Sequence, residues 1–188
     1  MRKWLIGFFV FVIIIVAAGV GALYYVRPSQ NLDLTYEKVP LKDRAISMAK
    51  RVSTELVLTD EDIVNLAKKS LADNPQVEPD VLVTGAGFRL EGDVLHADLN
   101  VIWKDRISAG LKVDYRLRWE EPNVIATAES ARLKGVNLPL SMFSDRVITI
   151  GDDLPKFLHI KALKWGDGQV NVQFKKPSLS DLKSLISD

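Results

Sequence analysis

The sequence predicts an α+β fold in which an N-terminal transmembrane helix is followed by a twisted antiparallel sheet of about six strands covered by amphipathic helices. Three observations lead to it. An uncharged apolar run opens the chain, strict period-two alternation fills the middle, and helix-period apolar faces flank that middle.

The apolar run, residues 4–26, reads WLIGFFVFVIIIVAAGVGALYYV and contains no charge, proline or amide. As a helix rising ~1.5 Å per residue it reaches about 35 Å, enough to cross a bilayer with some tilt. Trp4 marks one interface and Tyr24 and Tyr25 the other. Arg2 and Lys3 precede the run, whereas Arg27, Asp33 and Glu37 follow it. The positive-inside rule therefore predicts a single-pass protein of the cell membrane, with residues 1–3 cytoplasmic and the domain extracytoplasmic. The alternative is a signal peptide cleaved after Ala22, since Val20-Gly21-Ala22 supplies small residues. The run is longer than the ~7–15 residues of a signal-peptide core, which favours a retained signal-anchor. On either reading the domain leaves the cytoplasm.

With no cysteine, the chain has no disulfide, no thiolate metal site and no lipoprotein processing. Of its 25 basic residues two, Arg2 and Lys3, precede the span, which leaves 23 against 24 acidic ones. The basic excess of a nucleic-acid binder is missing. Roughly 160 residues remain outside the span, enough for one domain with its own core.

Residues 27–40 carry prolines at positions 28 and 40 and few large apolar groups, which predicts a stalk or an extended lead-in strand before a domain at 41–188. From Leu41, the residues Ala45, Ile46, Ala49 and Val52 recur at helical spacing, and Leu56 and Leu58 suggest a brief strand. Thr59 with Asp62 three residues later forms a capping box, and Asp60 and Glu61 complement the helix dipole. Ile63, Leu66, Ala67, Ser70 and Leu71 then share one face until Asn74-Pro75 ends the helix.

After Pro79 the period changes to two. Leu95, Ala97, Leu99, Val101 and Trp103 alternate with His96, Asp98 and Asn100; Leu111, Val113, Tyr115, Leu117 and Trp119 alternate with Lys112, Asp114, Arg116 and Arg118. Such strands belong to an antiparallel sheet with one wet face. Residues 81–90 pair ahead of them through Glu91-Gly92-Asp93 and residues 124–133 follow the turn at Pro122-Asn123, giving a four-strand meander. Gly135 to Pro139 breaks the pattern, and Leu140, Met142, Phe143, Val147 and Ile148 fit a short helix or a looped segment. A second hairpin, 158–165 and 169–175, closes around Gly166-Asp167-Gly168. Ser178 and Asp181 cap a C-terminal helix with Leu179, Leu182, Leu185 and Ile186 on one face.

No catalytic constellation appears. His96 and His159 stand far apart on separate strands, there is no HExxH, no GxSxG and no phosphate-binding glycine loop, and Gly85-Ala86-Gly87 marks a bulge or bend inside a strand. Asp152-Asp153 is the one loop pair with a cation-binding look, and Lys175-Lys176 the one basic pair near a hairpin end; common loop and edge roles explain both. No cofactor and no metal are expected, and the chain reads as a non-enzyme. What remains is the apolar stripe. Leu99, Val101, Trp103, Val113, Tyr115, Leu117 and Trp119 are large, whereas Ala97, Ala126, Ala128 and Ala131 are small, so the face is either interdigitated core or a groove for an acyl chain. Those seven large residues are the candidate ligand-binding set. The expected function is an anchored module that binds a lipid or lipid-linked molecule; the alternative is an interaction or assembly subunit docking an envelope or membrane protein by a sheet edge or its C-terminal helix.

An N-terminal anchor, then LVLTDEDIVNLAKKSL, a polar–apolar meander, KGVNLPLSMF and a closing WGDGQVNVQF hairpin resemble the YpmS-like family, uncharacterised single-span proteins of Gram-positive bacteria. The resemblance covers nearly the whole chain. It implies topology and location, and it carries over no catalytic or binding residue.

Overall fold

The computed structural model describes residues 2–51, 53–150, 154–155 and 158–176, with side chains from residue 11 onward. Helix α1, Arg2–Tyr25, is continuous. Its described side chains, among them Phe11, Ile13 and Tyr24, are exposed. Among the described residues no helix is long and apolar enough to cross a membrane, and for α1 only positions 11–25 have described side chains.

Helix α2, Leu41–Lys50, buries Leu41, Ala45, Met48 and Ala49, close to the face expected; Val52 lies outside the described residues. Strand β1, Glu55–Thr59, runs directly into α3, Asp60–Asp73. The capping box forms: Asp62 N donates to Thr59 Oγ1 at 3.2 Å and Thr59 N donates to Asp62 Oδ2 at 3.0 Å. Arg44 Nη1 reaches the same Oδ2 at 2.6 Å, so one buried carboxylate both caps α3 and ties it to α2.

The main sheet has seven strands. Its path runs β2 (Gln76–Glu78), β3 (Val81–Glu91), β4 (Val94–Trp103), β5 (Ile107–Glu120), β6 (Asn123–Leu133) and β7 (Val136–Asn137), and β8 (Arg146–Thr149) also pairs with β6. The four strands read from alternation are β3 to β6, and the register places Leu99 opposite Leu111 and Val113 opposite Ala131 on one face. Across the other face run ion pairs of alternate residues: Lys112 with Asp98, Arg116 with Asp93 and with Glu129, and Arg132 with Asp114.

The second hairpin forms as expected, β9 (Ile160–Gly166) and β10 (Gln169–Phe174), with Gly168 at φ +66 in its turn. It does not extend the meander. It pairs with β1 in a separate three-stranded sheet, β1-β10-β9, because Leu58, Val170 and Val172 need an apolar layer to face. That sheet and α2 bury Leu58, Ile160, Leu163, Val170, Val172 and Phe174 against Leu90, Leu95, Leu117, Val124 and Ala126 of the main sheet. The expected helical cover is thus corrected: at this end a second sheet supplies most of it, and α2 and α3 fill its margins. The expected C-terminal helix and Asp152-Asp153 lie outside the described residues.

Val26, just past the end of α1, and residues 27–34, the first part of the expected stalk, are docked on the sheet, through bends at 27–30 and then without regular structure. Gly110 N donates to Val26 O at 3.1 Å, Asn100 Nδ2 to Gln30 O at 2.9 Å and Ala86 N to Asp33 O at 3.1 Å, so the segment crosses β5, β4 and β3 in turn. It crosses the polar face. There Gly85 and Gly110 leave room: a Cβ on Gly85 would lie 2.1 Å from Leu32 O, and one on Gly110 3.1 Å from Pro28 Cα. The expected bulge near Gly85 is present as a register shift between Val83 and Gly85. Asn100, 9% exposed, is buried by this strap.

Candidate functional site

The seven stripe residues share one face of β4 and β5, but the fold divides them among four surroundings. Leu117 lies beneath the second sheet, 5% exposed, with Trp119 partly buried beside it. Val101, 4% exposed, packs with Val83 and Ala109 near Val26. Val113, fully buried, sits in the middle with Ala128 and Ala131, and Leu99 and Tyr115 join it from the two sides. Trp103 projects at the end of β4, 45% exposed. The stripe is continuous along the strands, and its middle has a floor of small side chains.

That middle has an unusual cover. The outer edge of β6 is paired by β7 at Arg132 and Leu133 and by β8 at residues 123–126. Between Asn137 and Arg146 the chain leaves the edge. It makes one 3-10 turn, Leu140–Met142, and keeps a single backbone bond to β6 there, from Leu138 N to Ala131 O at 2.8 Å. Leu138 and Phe143 turn inward onto Val113, Ala128 and Ala131. Leu140, Met142, Val147 and Ile148 face outward, together with Val136 of β7. Residues 138–145 are therefore a flap with an apolar inside and an apolar outside. Sequence reading saw the apolar residues of this segment but not the division, because the break at Gly135 to Pro139 hides any period from which a face is inferred.

Arg146 closes the trough from beyond the flap. Its Nη2 donates to Glu78 Oε1 at 2.7 Å and to Val77 O at 2.8 Å, so β8 at one margin of the main sheet is pinned to β2 at the other and the sheet curls around its apolar face. The same pair borders Tyr115. Burial raises the Tyr115 phenol above its ordinary range; the Arg146 guanidinium opposes the rise and the Glu78 carboxylate adds to it. This places a neutral hydroxyl at the wall of an apolar trough.

Two hollows lie outside the trough. One of about 210 Å³ is lined by Gln76, Pro79, Asp80, Leu82, Lys104 and Asp105, and one of about 40 Å³ lies under the strap. The floor at Val113, Ala128 and Ala131 opens into neither, since Leu138 and Phe143 occupy it. His96 sits among the polar-face ion pairs, Nδ1 2.7 Å from Asp114 Oδ1 and Nε2 3.4 Å from Glu91 Oε2. Lys175 pairs with Glu121 at 2.6 Å. Comparison with protein-family models, with curated proteins and with solved structures gives no match. The trough is thus read from its own chemistry.

Proposed function

We propose that this chain is a non-enzymatic membrane-anchored module, spanning the bilayer with residues 4–26, that receives an acyl chain of a lipid or lipid-linked molecule in the trough between β4, β5 and β6. One observation carries the reading. The small floor of Ala128 and Ala131 is filled by Leu138, the last residue still bonded to the edge of β6, and by Phe143 from the segment beyond it that has left the edge, so Phe143 can be exchanged for an acyl chain without breaking a strand. Methylenes entering the trough would replace those contacts at about 0.8 kcal/mol per buried CH₂. The apolar run of residues 4–26 supports the placement beside a bilayer, as does the topology implied by the YpmS-like resemblance.

The test is binding of a fluorescent fatty acid to the full chain in detergent micelles that do not compete for the probe. Phe143→Ala is expected to raise uptake, because it empties the floor, and Ala128→Leu to lower it. No uptake by any of the three proteins, with no lipid co-purifying, would remove the reading.

A second reading is favoured by the outer side of the flap. Val136, Met142 and Val147 are each more than half exposed, an apolar edge of the kind that docks a protein partner. Met142→Lys with Val147→Lys would then abolish capture of that partner by crosslinking and leave fatty-acid uptake unchanged. Reduced uptake in that double variant would assign the edge to the trough instead.

A further inference from the structure

The strap fixes which end of the domain faces the bilayer, given the reading that residues 4–26 span it. Val26 O is held by Gly110 N, and the Tyr25 hydroxyl lies 3.6 Å from where a Cβ of Gly135 would stand. Helix α1 therefore leaves the domain between the β4–β5 turn and the β6–β7 turn. The β2–β3 turn is at the same end, since Val81 pairs with Trp103 and Trp103 with Ile107. The opposite end carries Glu91 to Asp93 and Glu120 to Asn123.

The side chains at the anchor end differ from the rest of the domain. Trp103, 45% exposed, is the stripe residue that escapes burial, and Lys104 Nζ lies 5.1 Å above its ring. Lys104 and Asp105 have φ of 49 and 55, so the turn places a lysine where glycine or asparagine is favoured. Arg27 and Arg106 are exposed, and Lys134, at φ 56, is half-buried beside the strap. Among the described residues Arg27, Lys104, Arg106 and Lys134 make no ion pair. The only carboxylates on these turns are Asp80 and Asp105. A domain with 23 basic and 24 acidic residues outside Arg2 and Lys3 thus gathers a basic excess and an exposed tryptophan around the point where its anchor departs.

We infer that this rim is a second membrane contact: Trp103 inserts at the headgroup level of the bilayer in which the chain is anchored, and Arg27, Lys104, Arg106 and Lys134 bind anionic phospholipid headgroups of that leaflet. The chemistry is that of an interfacial belt. An indole prefers the headgroup region, and ammonium and guanidinium groups are drawn by the negative surface potential over about a Debye length. The anchor holds the rim within that distance, so weak individual contacts act together.

The experiment uses the full chain in vesicles. Because the chain has no cysteine, Ser108→Cys gives one thiol beside the rim and Glu120→Cys one at the far end. Each carries an environment-sensitive fluorophore, read by quenching from lipids spin-labelled near the headgroup. In phosphatidylcholine vesicles containing phosphatidylglycerol the label at position 108 is expected to be quenched and the label at 120 not. Quenching at 108 should fall in high salt and in pure phosphatidylcholine, and should be largely lost in a background of Lys104→Gln, Arg106→Gln and Lys134→Gln. Equal quenching at both positions, or quenching at 108 indifferent to salt and to the three substitutions, overturns the proposal. Alkaline carbonate extraction separates the two readings: a chain that stays in the vesicles with an unquenched 108 label refutes the rim alone, and a chain that is extracted refutes the anchor and the rim with it.

Discussion

Gly85 and Asp62 show how much of this molecule turns on single side chains, or on the lack of one. A methyl on Gly85 would meet a backbone carbonyl, Leu32 O, which has no rotamer by which to yield. Gly110 meets Pro28 Cα at 3.1 Å, and Gly87 meets nothing nearer than a leucine methyl at 3.6 Å. The expected order of destabilisation is therefore Gly85→Ala, then Gly110→Ala, then Gly87→Ala. The first should cost about 1–3 kcal/mol as overpacking and the last almost nothing. Chemical denaturation of the three variants gives the order, and faster amide exchange at Ala86 in Gly85→Ala would show that the strap itself has lifted. Asp62 is subject to opposed effects. Burial pushes its pKa up, but the Arg44 hydrogen bond, the Thr59 N–H and the Arg44 charge outweigh it and leave the carboxyl below its ordinary range. At Asp114 the Ser130 hydroxyl lowers the pKa most, against burial, with His96 and Arg132 adding to the effect. A carboxylate with a depressed folded pKa stabilises above its unfolded value and loses that contribution as pH falls through the folded one. Stability should therefore hold from neutrality to about pH 4 and decline below it. Asp62→Asn should cost about 1 kcal/mol at pH 7, since Arg44 is partly solvated, and should flatten the acid decline. An unchanged pH slope in that variant would contradict the assignment.

At the scale of elements, the stripe separates into positions that differ in cost. Val113→Ala empties a site with no exposure and should destabilise by about 2–3 kcal/mol. Trp103→Ala should cost less than the ~3–5 kcal/mol of a fully buried aromatic, because the residue is already 45% exposed. Urea unfolding with the slope checked tests both, and a larger loss for Trp103→Ala would mean that the rim is core. What was legible here follows from locality. The alternation of β4 and β5, the Thr59–Asp62 box and the Gly166-Asp167-Gly168 turn are each specified within a few residues, and all three formed as read. The pairing of β10 with β1, the strap over Gly85 and the inward turn of Phe143 each join segments distant in sequence. A single sequence holds the residues of such contacts but not the pairing. The stripe was legible as a face, since all seven residues do share one; its division into a part under the second sheet, a part under the flap, the Val101 cluster and the exposed Trp103 was not.

For the molecule as a whole, the Arg146–Glu78 contact decides whether the main sheet is an open curl or a closed one. Removing it with Arg146→Ala should change global stability little, about 1 kcal/mol or less for a partly solvated pair. Hydrogen exchange should nonetheless quicken in β2 and β8, where the two margins meet, while β4 and β5 stay protected. Equal quickening everywhere would mean that the contact supports the fold rather than the seam.

A free tether of 14 residues, the length of segment 27–40, would let the domain wander by about 20 Å root mean square from the end of α1. With Val26, Gln30 and Asp33 bonded to the sheet, that slack vanishes where the chain leaves α1. The module then behaves less like a buoy on a line than like a post set in the ground. Its reach is its own height, and its compass bearing is set by the helix beneath it. On the proposed placement of residues 4–26 in a bilayer, whatever it handles must arrive at that height, already in or beside the bilayer.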